Sequence, residues 1–227
     1  MKTYTYNIKL LIRNNNKIMV ACSLIYRILG RNHIKCSNSN VINIKGVFIK
    51  KSHIIVNGHN NVVKIGEGCR INNLKVHIWG DNNQIDIGND CVADNLDIWI
   101  EDNENRVVVG EHTWFNGRCN LACIEGRKIE IGDRCLLSSE ITFRTGDSHS
   151  IINNEGERIN PAKDIFIGNH VWICNQAYLL KGTQVGNDCV IGARSLLSGK
   201  EYGDGTLIAG NPGKVIKSHI GWDSQRL

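Results

Sequence analysis

Residues 63–69 read Val-Lys-Ile-Gly-Glu-Gly-Cys, and the pattern returns as IDIGNDC at 85–91, VVVGEHT at 107–113 and IEIGDRC at 129–135. The aliphatic-glycine pairs Ile65-Gly66, Ile87-Gly88, Val109-Gly110 and Ile131-Gly132 therefore stand 22 residues apart. Each has an aliphatic residue two positions earlier (Val63, Ile85, Val107, Ile129) and a small residue four positions later (Cys69, Cys91, Thr113, Cys135). The pattern resumes at Ile167-Gly168 and Val185-Gly186, 36 and then 18 residues further on, which is two turns and then one turn of an 18-residue coil. Self-similarity at a fixed period with an aliphatic residue in every turn predicts a stacked solenoid. Such a chain buries its apolar ladder between neighbouring coils, so its core grows with coil number.

The remaining punctuation fits this reading. The only two prolines, Pro161 and Pro212, lie near the ends of repeat blocks, as a long run of hydrogen-bonded strands requires. Many of the 23 glycines fall at corners, where positive φ or close approach of two backbones excludes a side chain. Four residues beyond the basic 18 form a corner turn in the longer coils. The segments Gly58-His59-Asn60-Asn61, Gly80-Asp81-Asn82-Asn83 and Asp102-Asn103-Glu104-Asn105 have turn chemistry. Residues 1–35 do not follow the coil pattern. Ile18, Cys22, Ile25 and Leu29 share a stripe at helical spacing with Gly30 as a stop, which predicts a short basic helical cap before a coiled domain over 36–217. From 144 to 164 the repeat breaks into a loop, and 218–227 forms a tail.

Composition narrows the function classes. Cys69, Cys91, Cys135 and Cys189 share one slot of the coil and read as small apolar residues stacked inside it. The odd total of nine cysteines argues against a full disulfide framework and for a reducing, cytoplasmic compartment. Cys119 and Cys123 stand four apart, a spacing seen in metal sites, but no second pair or nearby histidine completes four ligands, and no metal is expected. The apolar run from Ile18 to Leu29 is too short to span a bilayer, and the GRNHIKCS that follows lacks a small-x-small cleavage site. Residues 1–66 hold eleven Lys or Arg and no Asp or Glu, so this third carries +11 and the remainder −6 of the overall +5. That asymmetry points to an anionic partner, either an acidic polymer or a membrane surface, or else to a solvated basic face. Neither aromatic interleaving nor a nucleic-acid motif accompanies the charge, so nucleic acid is not expected.

His149 sits in the interruption, within Gly146-Asp147-Ser148-His149-Ser150. An exposed imidazole titrates near neutrality and suits a general base, and loops projecting from a rigid solenoid are where binding residues concentrate. Asp147 or Glu140 is placed to orient it, and sequence does not choose between them. The alternative is an ordinary loop histidine.

The segments RTGDSHSI (144–151), IGNHVWICNQAYLLKGTQVGNDCVIGARSLLSG (167–199) and IAGNPGKVIK (208–217) resemble the hexapeptide-repeat O-acetyltransferases of maltose, galactosides and capsular sugars. RTGDSHSI followed by IGNHVWI is most similar to the bacterial polysaccharide branch, which includes polysialic acid O-acetyltransferases. The resemblance covers roughly residues 60–217. It implies an all-β, left-handed parallel β-helix that transfers acetyl from acetyl-CoA. His149 matches the catalytic histidine, and Trp172 the tryptophan beside the thioester arm. Asn175 and Ala193 match positions lining the pantetheine channel. Ser198 and Lys200 match a Thr-Lys pair, with Gly199 inserted between them. Pro212 matches the proline packed against the adenine, and Lys214 and Lys217 match basic residues near the nucleotide phosphates. Asn116 matches, with a two-residue offset, an asparagine near the acceptor, where Arg144 and Asp147 are also expected. Lysines suit the phosphate charges, and an indole gives the arm a rigid apolar wall.

The resemblance further implies a homotrimer with each site built from two chains, and a sugar or polysaccharide acceptor. Three other readings compete. An N-acetyltransferase on an amino sugar uses the same fold and histidine. A γ-type carbonic anhydrase needs two zinc-binding histidines five apart, and position 154 is Asn. A non-catalytic scaffold explains the repeats but not His149 together with Trp172 and GNPGK.

Overall fold

A computed structural model describes residues 15–225. It is a three-sided prism of stacked coils, each contributing one strand to each of three parallel sheets. Face A stacks eight strands from His33–Lys35 to Leu196–Leu197. Face B stacks eight from Val41–Asn43 to Glu201–Tyr202. Face C stacks eight from Phe48–Lys50 to Thr206–Ala209, and Lys214–Ser218 adds an antiparallel ninth that closes its end. The chain runs A to B to C in every coil, so the prism has A/B, B/C and C/A edges.

The ladders follow the repeat. On face A, Ile54, Val76, Ile98, Leu121, Phe143, Leu179 and Leu197 stand in register, and all are fully buried. On face B, Ile65, Ile87, Val109, Ile131, Ile167 and Val185 form the row whose glycines turn the B/C edge. Those glycines answer to close approach. A Cβ on Gly88 would stand 2.7 Å from the Glu111 nitrogen, and one on Gly132 would stand 2.6 Å from the Gly168 oxygen. At the A/B edge, Asn61, Asn83 and Asn105 turn inward. Each is buried, and the Asn61 Oδ1 accepts from the Asn83 N–H (2.8 Å) as Asn83 Oδ1 does from Asn105 (2.8 Å). The turn chemistry read at these corners thus includes an amide ladder that satisfies buried backbone groups.

Cys69, Cys91, Cys135 and Cys189 are buried beneath the B/C edge. Burial pushes the Cys135 thiol up to about 11, and the Cys119 and Cys123 thiols, inward on face A, up to about 12. Thr113 fills the same slot as Cys135 in the coil below, donating to the Gly132 carbonyl (2.8 Å). Cys135→Thr or Cys135→Val is therefore expected to shift stability by about 1 kcal/mol and leave turnover unchanged. Labelling of native protein with a thiol reagent should leave these four untouched, and rapid modification would contradict the assignment.

The cap is an α-helix, α1 (Asn16–Leu29), started by the Asn15 side chain accepting from the Ile18 N–H. The stripe read from the sequence faces away from the prism. Ile18, Ile25 and Leu29 are 36%, 58% and 76% exposed, whereas Met19 and Ser23 are buried and Tyr26 meets Phe48 edge-on at 5.9 Å. Spacing identified residues that share a side of the helix, but not which side the prism covers.

Candidate active site

The interruption leaves the prism at the A/B edge, between the face A strand Ile141–Arg144 and the face B strand Ile165–Ile167. Its base is anchored by side chains that sequence reading did not single out. Asn160, buried, donates to the Asp147 carboxylate (2.8 Å) and the His149 carbonyl (2.9 Å), while its own Oδ1 accepts from the Ile151 N–H (2.7 Å). Lys181, one coil above, donates to Asp147 (2.5 Å) and to the Asn160 carbonyl (3.0 Å). Arg158 pairs with Glu125 (2.5 Å), which also accepts from the Ala162 N–H (3.1 Å). Lys181 and then Asn160 hold the Asp147 carboxyl below its ordinary range, and Arg158 does the same for Glu125. Beyond this base, a bridge between Ile152 and Arg158 makes the outer part a small hairpin.

His149 is exposed, and its imidazole makes no hydrogen bond among the described residues. Neither carboxylate expected to orient it does so. Asp147 is bound to Lys181 and Asn160, and Glu140 accepts from Gln176 (2.7 Å). Both carboxylates are engaged by donors of their own.

The other expected residues fall into two groups. Arg144, exposed at the end of its strand, Ser198 and Lys200 lie at the A/B edge with Asp147 and His149. Trp172 projects from face C, 36% exposed. Asn116, Asn175 and Ala193 lie along the C/A edge, and Pro212 follows at its end after a cis peptide bond. Register on face C runs from Trp172 through Val190 and Leu207 to Lys217, three strand steps or roughly 14 Å. Lys214 pairs with Ala209 at the C/A side of the same sheet. A groove of about 390 Å³ follows this edge, lined by Glu140, Gln176, Tyr178, Arg194, Leu196 and Asn211. It is floored by a hydrogen-bonded row in which Arg194 donates to Gln176 (2.7 Å) and Gln176 to Glu140. Within one chain, His149 and Trp172 thus occupy different sides of the prism. Ser198 and Lys200 go with the histidine and not with the remaining cofactor positions.

Residues 164–199 match the family described as bacterial transferase hexapeptide (six repeats). The polysialic acid O-acetyltransferase of Neisseria meningitidis is 33% identical over 186 residues, 81% of this chain and 86% of that protein. The chain belongs to the hexapeptide-repeat O-acetyltransferases. A crystal structure of the polysialic acid O-acetyltransferase OatWY superposes with a TM-score of 0.77 at 31% identity, covering 86% of this chain and 92% of that one. A polysialic acid O-acetyltransferase of Escherichia coli O1:K1 / APEC is 30% identical over 95 residues, 41% of this chain and 31% of that protein.

In this acetyltransferase the tail supplies a residue that the sequence did not flag. Trp222 stacks on the His170 ring (centroids 4.3 Å apart, 13° between planes), donates to the His170 carbonyl (2.7 Å) and lies 6.0 Å from the Trp172 ring. His170 is held in turn by Asp188 (2.8 Å). The tail runs back along the B/C edge, so this contact spans 52 residues and leaves no local signature. Cys174, beside Trp172, is half-buried with its thiol pushed up by desolvation, and is a poor nucleophile. No group of three His, Cys, Asp or Glu among the described residues is placed to hold a metal ion, and no described helix is long and apolar enough to cross a membrane.

Proposed function

We propose that this protein transfers acetyl from acetyl-CoA to a sugar hydroxyl of a bacterial surface polysaccharide, with an anionic, sialic acid-containing polymer as the acceptor class. The observation that carries the reading is the placement of an unengaged, exposed His149 on the one excursion of the prism, in a chain similar over most of its length to polysialic acid O-acetyltransferases. His149 takes the proton as the acceptor oxygen attacks the thioester carbonyl. The tetrahedral intermediate then collapses, breaking the carbon–sulfur bond, and the imidazolium returns its proton to the departing CoA sulfur. Asp147 and Asn160 serve this step by fixing the backbone on either side of His149, not by orienting its ring.

Acetyl-CoA would be held along face C and the C/A edge. Lys214 and Lys217 would meet its phosphates as point charges, Pro212 would pack on the adenine, and backbone at Asn175 and Ala193 would receive the pantetheine amides. Trp172 walls the thioester arm, and Trp222 backs that indole. An aromatic pair contributes about 0.5–1.5 kcal/mol, so Trp222→Ala should raise the acetyl-CoA KM by roughly 2- to 12-fold. The acceptor KM should stay unchanged and Trp222→Phe should recover most of the loss. An equal rise in both KM values would contradict that role.

The site is shared between copies of the chain in a homotrimer. Turning face A toward a threefold axis sets the A/B edge of one copy, with His149, Arg144, Ser198 and Lys200, against the C/A edge of the next. Trp79, Trp99 and Tyr178, exposed on face A at 51%, 37% and 48%, supply apolar surface for that packing. Incubation with acetyl-CoA and polysialic acid, followed by mass measurement of the glycan, tests the function. Each transfer adds one acetyl group to a hydroxyl. Free CoA release without glycan acetylation would reject the acceptor class.

A further inference from the structure

A helix that is apolar over most of its surface needs cover over most of it. Among the described residues, α1 is covered on one side. Met19, Ser23 and Tyr26 turn toward the first coil, and the opposite side presents Ile18, Leu24, Ile25, Ile28 and Leu29 at 36%, 46%, 58%, 72% and 76% exposure. Ile34 and Val41, 41% and 53% exposed, extend the apolar surface onto the first coil. The charge at this end is all of one sign. Lys17 and Arg27 lie on α1, Arg31 just beyond it, and Lys35, Lys50 and Lys51 in the first coil, and the first acidic residue in the chain is Glu67.

Three kinds of partner fit parts of this surface. A second copy of the chain matches the apolar half, but brings its own eleven cations against the first. A polyanionic glycan matches the charge and leaves the leucine and isoleucine side chains in water. An anionic bilayer matches both. Apolar side chains enter the acyl boundary, while Lys and Arg extend along it to the headgroups. We propose that α1 and the basic rim around it dock this protein onto anionic membrane surfaces, with the prism axis pointing away from the bilayer. In the proposed trimer three such ends face the same way, so weak single contacts act together. The docking itself does not depend on that assembly.

Co-sedimentation of the full-length protein with vesicles of phosphatidylcholine and phosphatidylglycerol (3:1), and with pure phosphatidylcholine, tests the proposal. Binding is expected to the anionic vesicles, with weakening as salt rises. The Ile28→Asp/Leu29→Asp variant should bind about 100-fold less, and Arg27→Glu/Arg31→Glu about 30-fold less. Both should keep the native circular dichroism and acetyl transfer to a soluble acceptor. No binding to anionic vesicles, equal binding to neutral ones, or full binding by the charge-reversed variant would overturn the proposal. So would a loss of oligomeric mass in Ile28→Asp/Leu29→Asp without lipid, which would make the patch a subunit contact. Slow reagent labelling of Leu29→Cys in lipid-free protein, resolved by mass spectrometry, would show the face already covered and overturn it too. Loss of acetyl transfer with vesicle binding intact would count against the active-site reading alone.

Discussion

His149→Ala is expected to lower turnover by about 10²- to 10⁴-fold, the range for loss of a positioned general base. The fold should survive, because the side chain is exposed and makes no hydrogen bond among the described residues, whereas the anchoring contact at this residue comes from its backbone carbonyl. Acetyl-CoA binding should be little affected, since the proposed role of the imidazole is proton transfer and the proposed contacts to the phosphates, adenine and pantetheine come from other residues. The signature is therefore a fall in kcat with the acetyl-CoA KM nearly unchanged. Asn160→Ala offers a contrast. It removes the clamp on Asp147 and the His149 carbonyl and leaves a base that is present but misplaced. A His149→Ala protein turning over within a few-fold of the parent would remove the histidine from the mechanism.

Much of the prism was legible because its physics is periodic. An aliphatic-glycine pair every 22 or 18 residues fixes which side chains face inward and where the B/C edge turns, and the cysteine slot follows from the same count. The excursion was legible as the place where the count fails. What escaped is non-local. Trp222 reaches His170 only because the tail folds back, and Lys181 meets Asp147 only because the coil above the excursion stacks on the coil below it. The expected carboxylate partners of His149 were near it in sequence, but Lys181 and Asn160 hold Asp147 and Gln176 holds Glu140. Ser198 and Lys200 match a cofactor pair by motif, yet the strand order puts them at the A/B edge. In the helical stripe of Ile18, Cys22, Ile25 and Leu29, Cys22 is half-buried and the other three point outward, since amphipathic spacing carries no information about which side the prism covers.

The central claim is that one active site needs two chains, with His149 from one and Trp172 from the next. Trp172→Ala, assayed at acetyl-CoA concentrations below its raised KM, and His149→Ala are each expected to be nearly inactive as pure trimers. Co-expressed with different affinity tags and purified through both, they form mixed assemblies. A site that pairs the histidine of a Trp172→Ala chain with the tryptophan of a His149→Ala chain is intact. Every mixed trimer, whether 2:1 or 1:2, contains one such junction among its three, so about one third of the sites in the doubly tagged fraction are intact. The account predicts recovery of that order in the doubly tagged fraction and none on mixing the pure trimers under conditions where subunits do not exchange. Doubly tagged assemblies no more active than their parents would contradict it, and would place the histidine and tryptophan of each site on the same chain.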